Sequence, residues 1–211
     1  MNVAATSFSR IAAAAILSIT FATTAQAHVT FVSSQAAFSA LGTTTQNTNF
    51  DAYPTGGTFS YPGSMFTVGD LTFAEGGQNA IGGKGGDYGF VRNLLIDDYS
   101  AGTTIQIAGT YDLFALNAGS IWDTFAEKFT VTTNVSSYQF VENVSNARLG
   151  LSFIGFRASA GEYFTSVEVS AFNDTGMTDI QLAQAVPEPG TYMLMLAGIG
   201  AMAFVTRRRR S

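Results

Sequence analysis

Residues 127–142 read Glu-Lys-Phe-Thr-Val-Thr-Thr-Asn-Val-Ser-Ser-Tyr-Gln-Phe-Val-Glu. Phe129, Val131 and Thr133 stand two apart, and so do Tyr138 and Phe140 beyond the break at Asn134. A strand sends successive side chains to opposite faces, so each set lies on one face of a sheet, and two strands are predicted, 127–133 and 136–142. Outward from there the same spacing recurs in Leu149, Leu151 and Phe153 and in Val167, Val169 and Ala171. Gly, Asn, Asp and Pro punctuate the rest, which predicts further strands near 48–53, 65–75, 88–96, 103–108, 111–117, 149–157, 163–172 and 178–184. Val29–Val32 also alternates, and Ser34 is placed to cap a short helix, Gln35–Leu41, stopped by Gly42. About ten short strands must hide their apolar faces against each other. The expected fold is all-β: a single domain over 28–185, a jelly-roll-like antiparallel β-sandwich with one short helix. No internal repeat of fixed period is evident.

Composition narrows the chemistry. Hydrophobic residues make up 46% of the 211 and charged residues only 12%, about half the usual charged share. The chain has no cysteine and one histidine, His28. Disulfide scaffolds, thiolate zinc sites and cysteine nucleophiles are therefore excluded, as is a Ser-His-Asp triad on any other histidine.

Both ends read as addresses. Residues 1–27 open with Arg10, run apolar from Ile11 to Phe21 and close on Ala25-Gln26-Ala27, the layout of a secretory signal peptide. A short buried helix is the other reading, but the absence of acidic residues and the Ala-Gln-Ala end favour export, and cleavage after Ala27 would make His28 the new N-terminus. The far end, 186–211, has three parts: Val186-Pro187-Glu188-Pro189-Gly190-Thr191, an apolar stretch 192–206, and Arg207, Arg208, Arg209 and Arg210 before Ser211. Fifteen helical residues span about 22 Å, short of a hydrocarbon core of roughly 30 Å. The arginines would hold the C-terminus on the cytoplasmic side and leave 28–185 outside, and Gly198 and Gly200 weaken the helix.

This tail resembles the sorting signal of the PEP-CTERM proteins of Gram-negative, exopolysaccharide-producing bacteria. The likeness rests on Pro187, Glu188 and Pro189, followed at the family's spacing by the apolar segment and the cluster Arg207 to Arg210. It implies recognition by an exosortase, a transpeptidase-like intramembrane enzyme. It also implies transient insertion of 192–206 in the inner membrane, removal of the tail, and release or attachment at the cell surface. The region 28–185 is generally similar to other β-rich members at Phe50-Asp51, at 153–156 and at 164–167, a likeness that assigns no activity.

Between His28 and Ala185 lie 14 acidic residues against five basic ones, Lys84, Arg92, Lys128, Arg148 and Arg157, a net charge of −9. Such a surface argues against nucleic acid and anionic lipid as partners. An N-terminal His28 invites a copper brace, but no second histidine exists to complete it. The glycine-rich run 76–89 nearly mimics a phosphate loop at Gly83-Lys84. Gln78 replaces its first glycine, however, and Gly85 its metal-binding hydroxyl, so a surface loop using glycine for positive φ is the better reading. The alternative is a ligand or calcium loop with Asp87, Asp97 and Asp98. Asp51 after an early strand and Asp179 before the last form the other calcium reading, a shared structural ion set against two solvated turn aspartates. Glu127, Glu142, Glu162 and Glu168 are the carboxylates available for glycoside hydrolysis, read here as ordinary strand carboxylates on a solvent face. Trp122 reads as core, and Tyr53, Tyr61, Tyr88 and Tyr99 near turns are better placed to meet sugar. The expected function is a non-catalytic surface or matrix protein, structural or adhesive in an exopolysaccharide biofilm. The alternatives are a carbohydrate-binding module and an extracellular polysaccharide hydrolase.

Overall fold

The computed structural model describes residues 28–53, 59–86, 89–96, 102–170, 174–186, 195–199 and 202. The elements run β1 (Val29–Val32), α1 (Gln35–Leu41), β2 (Gly42–Thr48), β3 (Phe59–Val68), β4 (Leu71–Gly82), β5 (Leu94–Ile96) and β6 (Thr103–Ile107). They continue through β7 (Leu113–Ser120), β8 (Phe125–Thr133), β9 (Ser137–Asn146), β10 (Ser152–Ala158), β11 (Phe164–Ser170) and β12 (Thr175–Ala185).

Hydrogen bonding sorts the strands into two layers. One has the order β1-β10-β7-β12-β2 and the other β9-β8-β11-β6-β4-β3, with β5 bridging β4 and β12 along one side. Along the other side β7 and β9 touch in parallel, Gly119 opposite Ser145 and Ser120 opposite Asn146, while the other pairings between named strands are antiparallel. The inward residues of both layers form one core cluster: Phe114, Leu116, Ile154, Phe156, Ile180 and Leu182 from the first, Phe73, Ile105, Phe129, Val131, Val167 and Val169 from the second. Phe156 reaches across to Phe129 at 6.0 Å and Phe140 at 4.9 Å between ring centroids, so the two layers pack face to face as an all-β sandwich.

The five-stranded layer is covered on its outer face too. Helix α1 is too short to be stable alone and is fixed by Phe38, which packs among Leu113, Ala115 and Ala183. Burying that ring contributes about 1.5–3 kcal/mol. At its start the Ser34 hydroxyl accepts from Ala37 N at 3.2 Å, the expected cap. Further along the same face Phe90, Leu94, Ile96, Ile121 and Ala147 form a second outer cluster. With both faces covered, β7 and β12 are buried along nearly their whole length, including polar Thr175, Thr178 and Gln181.

The structure corrects several sequence boundaries. Helix α1 ends at Leu41 as expected, but Gly42 is extended rather than left-handed. Its role is close approach, since a Cβ there would lie 2.3 Å from the Gln184 carbonyl oxygen. The single strand expected at 65–75 is a hairpin, β3 and β4, turning at Gly69 with φ +59. Residues 42–48 form a strand the alternation rule passes over, and Gly76, Gly77 and Gln78 belong to β4 rather than to a loop. In the tail, residues 195–199 are helical, and among the described residues no helix is long and apolar enough to cross a membrane. Apart from residue 202, the rest of the expected inner-membrane segment 192–206 lies outside the described residues, as do Pro187, Glu188, Pro189, Arg207, Arg208, Arg209, Arg210 and the whole of 1–27.

Candidate functional site

Asp179 sits where β12 slips register against β7, between Thr178 and Gln181, and it carries the one positive φ recorded for a residue other than glycine among the described residues, +48. The bulge turns its side chain outward beside Asn117, whose amide donates to Oδ2 at 3.0 Å. Arg92 pairs with the same oxygen through Nη1 and with Asp51 Oδ2 through Nη2 at 2.8 Å. Asp51 and Asp179 are thus brought together as the sequence proposed, and the cation between them is a guanidinium. Among the described residues no group of three or more His, Cys, Asp or Glu is placed to hold a metal ion. The hydrogen bond to Asp51, with the Asp179 charge behind it, holds Arg92 above its usual pKa against the opposing effect of burial. Arg92 belongs to the outer loop, pinned by Asn93 Nδ2 donating to Phe50 O at 3.1 Å and Lys84 N donating to Asn93 Oδ1 at 2.7 Å.

The glycine loop behaves as a tight turn. Gly85 and Gly89 have φ of +70 and +65, and Gly85 N and Gly86 N donate to Phe90 O and Gly83 O, so these amides are committed to the loop itself. Asp87, Tyr88, Asp97, Asp98 and Tyr99 lie outside the described residues.

Among the carboxylates Glu127 departs most from expectation. It faces the interior beside Phe129 and is fully buried, where a solvent face was expected. Neither of its oxygens meets a donor with good hydrogen-bond geometry. Burial pushes its pKa up, and the nearby Thr175 hydroxyl only partly opposes this. A raised carboxyl pKa means the fold favours the neutral form, so the site's contribution is fully present below the unfolded value, near 4.5, and is lost as pH rises through the folded value. Glu127→Gln should therefore match the wild type near pH 4 and exceed it at pH 7 by about 1–3 kcal/mol, because the neutral amide escapes the added cost of burying the carboxylate's charge. Melting curves from pH 4 to 8 check this; equal slopes for both proteins would refute it. Glu162 is also buried, its Oε2 accepting from Thr133 Oγ1 at 2.9 Å, while Glu142 and Glu168 are half-buried.

Of the described aromatic assignments, those of Trp122 and Tyr53 reverse and that of Tyr61 as an exposed ring does not. Ile121 is buried, but Trp122 next to it is 56% exposed, so it is not core. Tyr53 packs against the core and Tyr61 is exposed on β3.

Chain entry and exit lie at one end of the sandwich. Val29 pairs with Ala158, Ala158 N donates to Asp112 O at 2.9 Å, and Asp112 Oδ1 accepts from Ala185 N at 2.7 Å. His28 O accepts from Ser159 Oγ at 2.7 Å, and Val186 N donates to Leu41 O at 2.9 Å. Across β1, β10, β7 and β12 this is three strand spacings, about 14 Å. A hollow of about 330 Å³ lined by Thr110, Asp112, Gly161, Glu162, Tyr163, Gln184 and Ala185 opens beside the exit. The last strand thus leads into Pro187 with one residue between.

That exit marks the class: an all-β sandwich with a C-terminal sorting segment. The family model of the PEP-CTERM protein-sorting motif matches residues 185–210, so the chain carries a PEP-CTERM sorting domain, which marks it for export to the cell envelope with an exosortase as its processing enzyme. The curated proteins contain no match to the chain. Among solved structures, a mutant of the carbohydrate-binding module CBM29-2 superposes on 77% of this chain and 99% of its own, at 10% identity and a TM-score of 0.29. A second carbohydrate-binding module of family 29 covers 78% and 97%, at the same identity and score. Likenesses this loose carry no conclusion about this chain.

Proposed function

We propose that the protein is an exported, non-catalytic component of the cell surface or extracellular matrix, structural or adhesive within exopolysaccharide and released from its tail by an exosortase. The observation that carries this reading is the sorting motif beginning at residue 185, at the very end of β12. From Val186 to the apolar stretch at 192 only residues 187–191 intervene, a reach of at most about 22 Å. Before processing, the sandwich is therefore held close to the membrane by its exit end. Of the four carboxylates a hydrolase would draw on, Glu127 is fully buried. The experiment compares the chain's mass in producing cells with and without their exosortase: a shortened exported form in the first and the complete tail in the second are expected. A shortened form in both would reject the exosortase as processing enzyme.

A further inference from the structure

Where the last strand leaves the sheet, the chain passes a hollow of complementary chemistry. Val186 N donates to Leu41 O at 2.9 Å, and Leu41 also forms part of the wall of a hollow of about 310 Å³ between α1 and β1. Thr30, Val32, Ser33, Ala37 and Arg157 belong to the same wall. Val32 and Leu41 pack in the cluster that fixes α1, so the apolar side of the hollow is built in advance. Arg157 stands opposite Leu113 across β10 and β7, and Leu113 belongs to that outer cluster, so the guanidinium leaves the sheet on the α1 side. It is the one charged residue of this lining among the described residues, on a region, 28–185, whose net charge is −9.

The residues after Val186 have the matching character. Glu188 carries the only charge between Ala185 and Arg207, and a proline stands on each side of it. Those prolines have no N–H to leave unpaired on burial, and their fixed φ lowers the entropy lost on docking. Proline segments of this kind bind in extended form against apolar walls. Glu188 is two residues past Val186, about 7 Å along an extended chain, so it stays within reach of the wall to which Val186 is tied.

We infer that, before processing, Pro187-Glu188-Pro189 docks in this hollow, with proline against Leu41 and Ala37 and the Glu188 carboxylate paired with Arg157. A guanidinium has five N–H donors, so the pairing does not require Arg157 to give up the contact it already makes. The docked motif is withheld from the exosortase, and only the undocked fraction is a substrate. The inference rests on the exosortase reading above and adds a restraint on that step.

The chain has no cysteine, so an engineered pair reports this contact alone. The full-length chain is purified from cells lacking the exosortase. Under mild oxidation Ala37→Cys with Pro189→Cys is expected to form an intramolecular disulfide at least tenfold faster than Ser39→Cys with Pro189→Cys. Ser39 is on the same helix but faces away, its Oγ accepting at 3.2 Å from the Gln35 amide that also reaches Gln181. Adding Arg157→Glu should slow the first crosslink at least threefold and Arg157→Gln should slow it less, while Glu188→Arg added to Arg157→Glu should restore it. Each variant is shown to be folded by its melting curve, and a surface ion pair is worth too little to be read there, so crosslinking is the readout. In cells that have the exosortase, Arg157→Glu without the cysteines should shorten the half-time of tail removal at least threefold, equivalent to an undocked fraction of at most about one third in the wild type. Equal crosslinking at Ala37 and Ser39, no effect of Arg157→Glu, a disulfide joining two chains, or unchanged or slower tail removal would overturn the inference. Tail removal that continues without the exosortase would be a failure of the earlier reading alone, because the crosslink is measured in the absence of that enzyme.

Discussion

Phe156→Ala is expected to destabilise the sandwich by about 3–5 kcal/mol, the usual cost of removing a large buried ring. This should appear as a fall in melting temperature on the order of 10 °C. Phe156 is fully buried and is the ring through which the layers meet: Phe31 and Phe114 lie within 6.5 Å on its own layer, Phe129 and Phe140 within 6.0 Å on the other. Collapse into the vacated space is hindered by the backbone behind it, because Gly155 lies so close to β1 that even a Cβ there would stand 2.9 Å from Val32 O. Tyr61→Ala, on the exposed face of β3, is the control and should change stability by less than about 0.5 kcal/mol. Comparable losses for the two variants would contradict the two-layer core.

Replacing Glu188 by alanine together with Arg207, Arg208, Arg209 and Arg210 by serine is expected to reduce the processed, exported form at least tenfold, with full-length chain accumulating in the cell. An apolar stretch of about 22 Å is marginal across a core of roughly 30 Å, so its orientation depends on the positive cluster that follows it. Four lysines in place of the arginines preserve that charge and should preserve topology, which separates orientation from recognition of the guanidinium groups. Since Val186 N is the last backbone group bonded to the sandwich among the described residues, none of these changes should move the melting temperature of the folded region. Unchanged maturation in the alanine-serine variant would contradict the sorting account.

The sequence revealed its elements where one face alone is buried. The alternation in β8, β9 and β11 was legible for that reason, and α1 because a capping serine precedes it. Strand β10 is covered on both faces and begins only at Ser152, so Leu149 and Leu151 of the expected alternation lie outside it. Strand β2, Gly-Thr-Thr-Thr-Gln-Asn-Thr, has no apolar face and exists because β12 supplies its partners, so no local pattern announces it. Residues 65–75 read as one strand because apolar residues flank the turn on both sides, and only the left-handed Gly69 divides them. In the candidate sites, Asp51 and Asp179 do approach each other, but not at two strand ends, because Asp179 lies within β12 at its bulge rather than ahead of the last strand. The guanidinium between them was not legible, because Arg92 comes from a loop with no periodicity to place it. Glu127 and Trp122 were assigned by residue type, and position reversed both: one carboxylate turned inward on the Phe129 face, one indole carried past the end of β7. The Arg92 lock joins residues far apart in the chain, information that a single sequence does not hold.

The intact mass of the exported protein tests the central claim most directly. The account gives a chain that begins at His28, retains β12 through Val186 and lacks the four terminal arginines, because backbone bonded into the sheet up to Val186 is not free to enter an enzyme's cleft. A mass retaining Arg207 to Arg210, or a C-terminus inside β12, would contradict it.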